Sequence, residues 1–318
     1  MESPLAKIMP ATTDAIAYAA QVLREGGLVA FPTETIYGLG ADARNGKAVA
    51  GIFAAKGRPR FNPLIVHVRD LAEAETHAVF SYTARKLAEI FWPGALTLVL
   101  PRRAHTPLSE LVSAGLDTVA LRVPAHPVAL ALLQKADLPI AAPSANPSGR
   151  ISPTLAVHVA AGLGRNVDLI LDGGATPLGL ESTVIGFDGD RAVLLRPGAI
   201  ARQAIESIAG PLADAGAAIR SPGQLESHYA PNATLRLNAR EKESGELLLG
   251  FGPSSPDAKL NLSTTGDLTE AASNLFAMLH ELDRQGPRIA VAPIPETGLS
   301  EAINDRLRRA AAPRTEHA

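Results

Sequence analysis

The chain has 318 residues, a net charge of -2 and 46% hydrophobic residues, which indicates a globular protein with a sizeable core. It has no cysteine, and this excludes a disulfide framework, a cysteine zinc site and a thiol nucleophile. The sequence shows neither a signal-peptide pattern nor an apolar run long enough to span a membrane, so we expect a cytoplasmic protein without a membrane partner.

Helical and strand patterns are mixed through the first two-thirds of the chain. Apolar spacing predicts a helix over residues 13–25, and the apolar run that follows predicts a buried strand closed by Pro32. Further helices are predicted at 47–56 and 82–91, and further strands at 64–68, 95–100, 118–123, 139–142, 168–171, 182–187 and 192–195. Because strands and helices do not alternate strictly, we expect an α/β sheet of mixed direction.

The last third of the chain predicts a smaller domain. Residues 210–232 are rich in Ala, Gly, Pro and Ser without periodicity, which is typical of a linker. Strands are predicted at 245–250 and 288–293, and helices at 267–283 and 300–311. This order predicts a small Rossmann-like domain. The expected division is residues 1–210, a linker at 211–234 and a second domain at 235–318.

Two glycine patterns are near matches to nucleotide-binding motifs. Residues 38–43 fit G-x-G-x-x-A but do not directly follow a predicted strand. At 40–47 the glycines are one residue too far apart for a Walker loop, and Ala48 stands where Ser or Thr is needed. We therefore expect any ATP to be bound by other residues.

Three polar clusters lie at the ends of apolar runs, where sites in α/β proteins usually form. Residues 32–40 (PTETIYGLG) hold several polar groups without a structural task. Residues 56–62 carry three basic side chains in five positions, which suits a polyphosphate, although such runs are commonly solvated loops. Residues 143–152 (PSANPSGRIS) offer hydroxyls, an amide and backbone N–H groups to an anion, or form an ordinary loop.

Single residues add to these clusters. Arg122 lies within an apolar strand, where a buried arginine needs an anion, either a protein carboxylate or a substrate. His67 also lies within an apolar strand, where a structural histidine is the commoner case. Glu181 and Ser182 precede one predicted strand, and Arg196 ends another.

Taken together, these segments resemble the threonylcarbamoyl-AMP synthase family, whose catalytic part is the YrdC-like domain. The matching strings are residues 32–40, 56–68, 92–97, 122–124, 142–149, 181–185 and 195–198, and the resemblance covers about residues 12–205. Residues 221–231 resemble the linker of the family's long two-domain form, although 224–226 are less basic and aromatic than expected there. The resemblance implies a YrdC-like twisted mixed sheet with helices and a small Rossmann-like α/β C-terminal domain.

The resemblance also implies an activity. The family makes threonylcarbamoyl-AMP and pyrophosphate from L-threonine, bicarbonate or CO2, and ATP, which is a nucleotidyltransferase reaction. Its product passes to a downstream tRNA-modifying transferase complex for threonylcarbamoyladenosine synthesis. Mg²⁺ is expected to arrive with the ATP phosphates, and no protein metal site is expected.

Roles for individual residues follow from the same resemblance. Those expected to bind L-threonine are Thr35, His67, Arg122, Ala142 and Ser182. Those expected to bind ATP are Arg58, Asn62, Thr118, Ser144, Asn146, Ser152, Arg196 and Tyr229. Lys56 and Arg58 are expected to be catalytic through neutralisation of phosphate charge. Tyr229 is expected to fold over the ATP as a lid.

Two other functions stay open on sequence alone. A carbamoyl-adenylate former acting in carbamoyl transfer would use the same domain, but such proteins carry zinc-finger segments and this chain has no cysteine. A non-catalytic RNA-binding or regulatory module would need a basic concave surface. The net charge of -2 argues against that module, whereas the basic run at 56–60 leaves weak RNA binding open.

Overall fold

The computed structural model describes residues 7–214, 228–255 and 257–313. No helix within these ranges is both long enough and apolar enough to cross a membrane. The strands of the first domain are β1 (Lys7–Pro10), β2 (Val29–Pro32), β3 (Tyr37–Asp42), β4 (Ile65–His67), β5 (Leu96–Pro101), β6 (Thr118–Arg122), β7 (Ile140–Ala141), β8 (Leu169–Asp172), β9 (Thr183–Asp188), β10 (Arg191–Arg196) and β11 (Ala213–Asp214). Its helices are α1 (Thr13–Arg24), α2 (Gly46–Lys56), α3 (Leu71–His77), α4 (Tyr82–Phe91), α5 (Pro127–Ala136), α6 (Ala156–Leu163) and α7 (Arg202–Ala209).

The first-domain strands form one twisted sheet of mixed direction, as the sequence predicts. Across the described residues its order is β1-β8-β2-β3-β7-β4-β6-β5-β9-β10-β11. Strand β4 is parallel to β6 and antiparallel to β7, so the centre of the sheet mixes both directions. This register sets His67 opposite Arg122 on one side and Ile140 on the other.

The two faces of this sheet are covered differently. Val66, Leu98 and Leu121 belong to the large core that the helices cover. Their neighbours along the strands point the opposite way, because side chains alternate across a strand. These neighbours form a small apolar cluster on the other face, consisting of Ile65, Val99, Ala120, Val184 and Leu195. The second face is therefore the one that holds the pocket described below.

The two ends of helix α2 place one site segment, the basic loop. Asn45 caps α2 by accepting hydrogen bonds from two backbone N–H groups, and Gly57 ends the helix in a left-handed conformation with φ 60°. That turn leaves Lys56 as the last helical residue and directs the chain into the basic loop. A glycine is needed there because other residues adopt this conformation at a cost.

The second domain is a four-stranded parallel layer with two helices. Its elements are β12 (Thr234–Arg236), β13 (Leu247–Gly250), β14 (Leu260–Asn261), α8 (Leu268–Gln285), β15 (Arg288–Val291) and α9 (Ser300–Ala311). The order within the described residues is β12-β15-β13-β14, and every pair is parallel. The Rossmann-like layer expected from the sequence is confirmed.

The two domains share a hydrophobic core. Ile36, Ile151 and Leu180 of the first domain pack in the same buried cluster as residues of α8 and α9. The predicted linker falls partly on residues 215–227, which lie outside the described residues, and β11 occupies part of its beginning. The expected domain boundaries therefore stay a prediction. The shared core means that the two domains pack directly against each other.

Candidate active site

A small pocket lies on the open face of the sheet, against the segment that leads into the second domain. Its volume is about 50 Å³. The predicted site residues that line it are Thr35, Arg58, His67, Arg122, Ala142, Ser144, Ser182, Arg196 and Tyr229. The pocket is also lined by Thr33, Ile36, Gly38, Ile65, Pro143, Glu181 and His228. The sequence led us to expect a site at the ends of strands. The pocket instead spans the face of the sheet.

Arg122 is held in place by a buried carboxylate. Its Nη2 lies 2.5 Å from Glu34 Oε1, its Nη1 donates to Thr35 Oγ1 at 3.0 Å, and its Nε donates to the Gly94 carbonyl at 3.1 Å. Burial alone would raise the pKa of Glu34, but the Arg122 charge together with the hydrogen bonds from Arg122 and the backbone outweighs burial and holds that pKa below its usual value. Of the two anions the sequence left open, the protein carboxylate is therefore present.

The turn between β2 and β3 brings Thr35 to this arginine. Thr33 Oγ1 donates to the Ile36 carbonyl at 2.7 Å and accepts from the Thr35 and Ile36 backbone N–H groups, both at 3.2 Å. The Thr33 and Thr35 hydroxyls lie 2.7 Å apart. The first Thr therefore shapes the turn, and the second presents its hydroxyl to the pocket.

His67 borders the pocket as a buried neutral imidazole. Burial, reinforced by the Arg122 charge, lowers the pKa of His67 to about 3. Its Nδ1 has no hydrogen-bond partner within the described structure. A buried nitrogen without a partner is costly, so this atom is available to a ligand.

Two further basic side chains, Arg58 and Arg196, line the pocket. Arg58 donates to the backbone carbonyls of Asn62 at 3.3 Å and Pro63 at 3.0 Å. Burial lowers the pKa of Arg58 to about 10, against an opposing effect of Tyr229 and with a further lowering by Arg196. Arg58 is therefore still a cation at neutral pH and marks this part of the pocket as an anion site.

Lys56 lies just behind the pocket wall. Its Nζ donates to the Ser144 carbonyl at 2.5 Å and to the Asn146 carbonyl, which ties α2 to the segment at 143–152. Burial, reinforced by Arg58, lowers the pKa of Lys56 well below its usual value. Asn146 Nδ2 donates to the Arg150 carbonyl at 2.8 Å, and its Oδ1 has no partner among the described residues.

Ser182 and Arg196 meet at the start of β9 and the end of β10. The Ser182 hydroxyl lies 2.7 Å from Thr97 Oγ1, and Arg196 Nη2 donates to the Ser182 carbonyl at 2.7 Å. Next to them, Glu181 accepts from Ser152 Oγ at 2.5 Å and from Arg306 Nε at 2.8 Å. Ser152 therefore bonds a protein carboxylate behind the pocket and does not line it.

Tyr229 and His228 cover the pocket. Tyr229 is buried, its ring stacks on Phe276 at 5.6 Å, and its hydroxyl has no partner in the described structure. The His228 ring meets the Tyr229 ring edge-on at 4.0 Å. The linker residues 221–227 lie outside the described residues. The difference between residues 224–226 and the family's more basic and aromatic linker therefore has no structural account.

The remaining predicted site residues lie around the pocket without lining it. Thr118 is at the opposite end of β6 from Arg122, and Asn62 is buried beside Arg58 with its Oδ1 unpartnered in the described structure. The roles of Lys56, Asn62, Thr118, Asn146 and Ser152 stay predictions. Sequence reasoning missed Glu34 and Arg306, although Glu34 had a signal, since Arg122 required an anion.

Fold and site together define a two-domain α/β protein with a polar, cation-lined pocket that a segment entering the second domain covers. A family profile described as "Telomere recombination" (Sua5_yciO_yrdC) matches residues 21–198, and one described as "Threonylcarbamoyl-AMP synthase, C-terminal domain" matches residues 200–312. The chain therefore belongs to the threonylcarbamoyl-AMP synthase family, which confirms the resemblance drawn from its motifs.

Individual relatives agree over nearly the whole chain. Threonylcarbamoyl-AMP synthase of Bacillus subtilis is 43% identical, covering 93% of this chain and 92% of the relative. The Pyrococcus abyssi protein of the same name is also 43% identical, covering 93% of each. A structure of P. abyssi Sua5 in complex with L-threonine superimposes with a TM-score of 0.87 at 40% identity, covering 96% of this chain and 97% of that one. These comparisons confirm the predicted fold class.

Proposed function

We propose that this chain makes threonylcarbamoyl-AMP and pyrophosphate from L-threonine, bicarbonate or CO2, and ATP. The observation that carries the proposal is the composition of the pocket. Arg122, the hydroxyls of Thr35 and Ser182, the neutral imidazole of His67 and the cationic side chains of Arg58 and Arg196 all line it. Such a pocket suits an amino acid together with a polyphosphate.

The threonine end is built around Arg122. An arginine has five N–H donors, and Glu34, Thr35 and Gly94 take one each, which leaves two for a substrate carboxylate. Because the bound protein groups fix the guanidinium, its remaining donors are oriented before substrate arrives. Thr35, Ser182 and His67 Nδ1 would surround the threonine hydroxyl and amine, with Ala142 closing that side.

The ATP end is built around the basic loop. Arg58 and Arg196 would neutralise the phosphates, and Lys56 would join them, because an adjacent anion raises the pKa of a buried lysine back toward its usual value. Ser144, Asn62, Asn146, Ser152 and Thr118 would hold the nucleotide. The unpartnered Oδ1 atoms of Asn62 and Asn146 support this part of the proposal, because buried acceptors are normally paired.

Mg²⁺ would accompany ATP. Glu181 in the pocket wall and Glu34 next to the pocket are already paired with Arg306 and Arg122, and no group of three or more metal-binding side chains occurs within the described residues. These residues therefore fit an ion that the ATP phosphates themselves coordinate, not a resident protein-bound metal. Bound in this way, Mg²⁺ would supply further charge neutralisation at the phosphates.

The chemistry asks for positioning above all. The threonine amine attacks the carbon of CO2, or of bicarbonate with loss of water, and gives up a proton to form a carbamate. A carbamate oxygen then attacks the α-phosphorus of ATP, and the bond to the bridging oxygen breaks to release pyrophosphate. No covalent enzyme intermediate is needed, so alignment of the reactants and neutralisation of the phosphate charge would account for the rate enhancement.

Tyr229 would act as a lid. The covered pocket holds about 50 Å³, far below the roughly 300–1,000 Å³ of typical ligand sites, so His228 and Tyr229 must move before ATP enters. After binding, the tyrosine would close over the nucleotide and exclude water from a product that hydrolyses readily. A solved P. abyssi Sua5 variant replaces a consecutive His-Tyr pair by alanine and has a TM-score of 0.88 to this chain.

The same proposal gives the protein its cellular setting. The product would pass to a tRNA-modifying transferase complex that installs threonylcarbamoyladenosine, in the cytoplasm. Weak RNA binding at the basic loop is compatible with this handover, since Arg60 at the loop tip is exposed.

Pyrophosphate release from ATP tests the proposal directly. We expect release that requires both L-threonine and bicarbonate. It should fall strongly with 2-aminobutyrate, which lacks the hydroxyl that the site hydrogen-bonds, and by a smaller factor with serine, which keeps the hydroxyl and lacks only the methyl group. Release that ignores threonine, or none from folded protein, would contradict the synthase function. That result would direct attention to carbamoyl transfer or to RNA binding.

A further inference from the structure

Arg306 is a fully buried arginine on α9 of the second domain. It is the largest completely buried side chain within the described residues. Its Nε donates to Glu181 Oε2 at 2.8 Å, its Nη1 to Asp305 at 2.6 Å and its Nη2 to the Pro197 carbonyl at 2.9 Å. Burying a charge is costly unless it is fully paired, so these partners define where the side chain must lie.

Two of these partners belong to the pocket wall of the first domain. Glu181 lines the pocket and precedes Ser182, while Pro197 follows Arg196. The Ala199 N–H donates to the Glu181 carbonyl at 2.9 Å, so the two segments are also joined to each other. The guanidinium of Arg306, which belongs to the second domain, therefore bonds to both of these first-domain segments.

The same guanidinium contacts the covering tyrosine. Arg306 Cζ lies 5.0 Å from the centroid of the Tyr229 ring, within the range of a cation–π interaction. Phe276 of α8 stacks on the same ring. Both contacts come from the second domain, whereas the Tyr229 hydroxyl has no partner among the described residues.

The Tyr229 backbone supplies an independent observation. Its φ is 64°, a left-handed conformation that costs a residue with a side chain about 1–2 kcal/mol. Such strain persists only where the surroundings hold the residue in place. The ring contacts with Arg306 and Phe276 contribute to holding it there, together with the backbone hydrogen bonds of His228 to Arg309 and of Ala230 to Gly149.

We propose that Arg306 is a positioning residue of the active site, through which the second domain holds Tyr229 closed and holds the Glu181–Ser182 segment in place beside Pro197. In this arrangement the C-terminal domain is part of the catalytic apparatus, and lid closure depends on α9. The proposal rests on the proposed function only for its kinetic readout.

The test compares Arg306→Met and Arg306→Lys with the double variant Glu181→Gln/Arg306→Met and with Glu181→Gln alone. Arg308→Met is the matched control, since Arg308 lies on the same helix with an exposed side chain paired only to Glu296 within the described structure. Three quantities are measured: the thermal midpoint, hydrogen–deuterium exchange of the peptide 228–233, and the ATP KM and kcat of pyrophosphate release.

We expect Arg306→Met to unfold at lower temperature, because the buried Glu181 carboxylate loses its ion-pair partner, and the double variant to recover most of that loss. Exchange at 228–233 should nevertheless stay faster in the double variant than in Glu181→Gln, with the ATP KM raised roughly tenfold. Arg306→Lys should fall in between, since lysine keeps the charge but loses the planar fork. Arg308→Met should match the parent protein.

Wild-type exchange and wild-type ATP KM in the double variant would overturn the proposal, because Arg306 would then serve only to balance Glu181. An Arg306→Met protein that fails to fold does not block the test, since the double variant carries it. Absence of pyrophosphate release from the parent protein would contradict the synthase function alone, and the exchange comparison would still decide the role of Arg306.

Discussion

Two buried arginine–glutamate pairs border the pocket, and they differ in what they connect. Arg122 and Glu34 both belong to the first domain, and Arg122 lines the pocket with two N–H donors that no described residue takes up. Arg306 and Glu181 join the two domains, and Arg306 lies behind the wall without lining the pocket. Under the two proposals above, the Arg122–Glu34 pair would serve substrate binding and the Arg306–Glu181 pair would serve domain closure.

The two pairs are expected to differ in the kind of effect that they have, not only in its size. A pair that offers donors to a ligand changes affinity for that ligand, whereas a pair that bridges two domains changes which conformation is populated. Disrupting the first pair should therefore act on threonine, and disrupting the contacts of the second should act on ATP and on the lid. Each prediction below can break or sharpen that division.

The largest effect is expected from Arg122→Ala. Two charge-assisted hydrogen bonds to the threonine carboxylate would be lost, which raises the threonine KM roughly 100-fold. Stability should also fall by about 3–5 kcal/mol, because the buried Glu34 carboxylate loses its ion-pair partner. Threonine titration at saturating ATP and denaturant unfolding measure the two effects.

The control for this variant is Glu34→Gln/Arg122→Met, which removes both charges. It should recover most of the stability but none of the threonine affinity. An unchanged threonine KM in either variant would mean that Arg122 does not bind threonine. The proposed difference in function between the two ion pairs would then be wrong.

A second variant tests the domain contact with a matched partner. Gly179 and Gly189 both have left-handed backbones, with φ 64° and 60°. A Cβ at Gly179 would come within 2.7 Å of the Ala272 carbonyl on α8 and would also collide with that of Ser273, whereas one at Gly189 would meet nothing within 4 Å. The two positions therefore share a conformational cost and differ only in the clash.

Gly189→Ala should cost about 1–2 kcal/mol, the ordinary cost of that backbone conformation. Gly179→Ala should cost a further 1–3 kcal/mol or so, since α8 must shift, and should raise the ATP KM with little effect on threonine. Equal stability and equal ATP KM in the two variants would mean that the contact with α8 does not position the pocket wall.

Local sequence signals predicted some elements with accuracy and could not reach others. Helices α4 and α9 have the predicted bounds, because their apolar spacing is helical. Helix α5 (Pro127–Ala136) is so uniformly apolar that it gives no amphipathic pattern. Strand β3 was concealed by its glycines, which tertiary packing requires, since a Cβ at Gly40 would lie 2.7 Å from Phe31.

The same limit applies to the site. Most pocket residues were predicted because each lies in a short motif with chemistry of its own. The partner of Glu181 could not be predicted, since Arg306 is 125 positions away and sits in an ordinary amphipathic helix. Contacts between domains produce no regular spacing of residues in the sequence. The role of the second domain could therefore be inferred only from the structure.

The Arg122 side of the pocket should also carry a pH dependence. Folded His67 has a pKa of about 3, compared with roughly 6.5 when unfolded. Between these values the unfolded chain binds a proton that the folded protein does not, so stability is full above about pH 6.5 and falls by about 1.4 kcal/mol per unit below it. His67→Leu should reduce this slope in unfolding measured from pH 7 to pH 4. An unaltered slope would mean that His67 is protonated in the folded protein.

The smallest stability effect is expected on the lid side, from Tyr229→Phe. The hydroxyl is buried without a partner in the described structure, so its loss should leave the free energy of unfolding within about 0.5 kcal/mol of the parent, or raise it slightly. Both ring contacts, with Arg306 and Phe276, survive this change. Tyr229→Ala removes them as well and should cost about 3–5 kcal/mol.

Kinetics then separate the hydroxyl from the ring. If the hydroxyl pairs with ATP in the closed state, Tyr229→Phe raises the ATP KM by roughly tenfold while the threonine KM stays unchanged. If the ring alone closes the pocket, Tyr229→Phe behaves as the parent protein and only Tyr229→Ala is impaired. A Tyr229→Phe variant that instead lost threonine affinity would show that the lid reaches the Arg122 side, and the two pairs would no longer serve separate substrates.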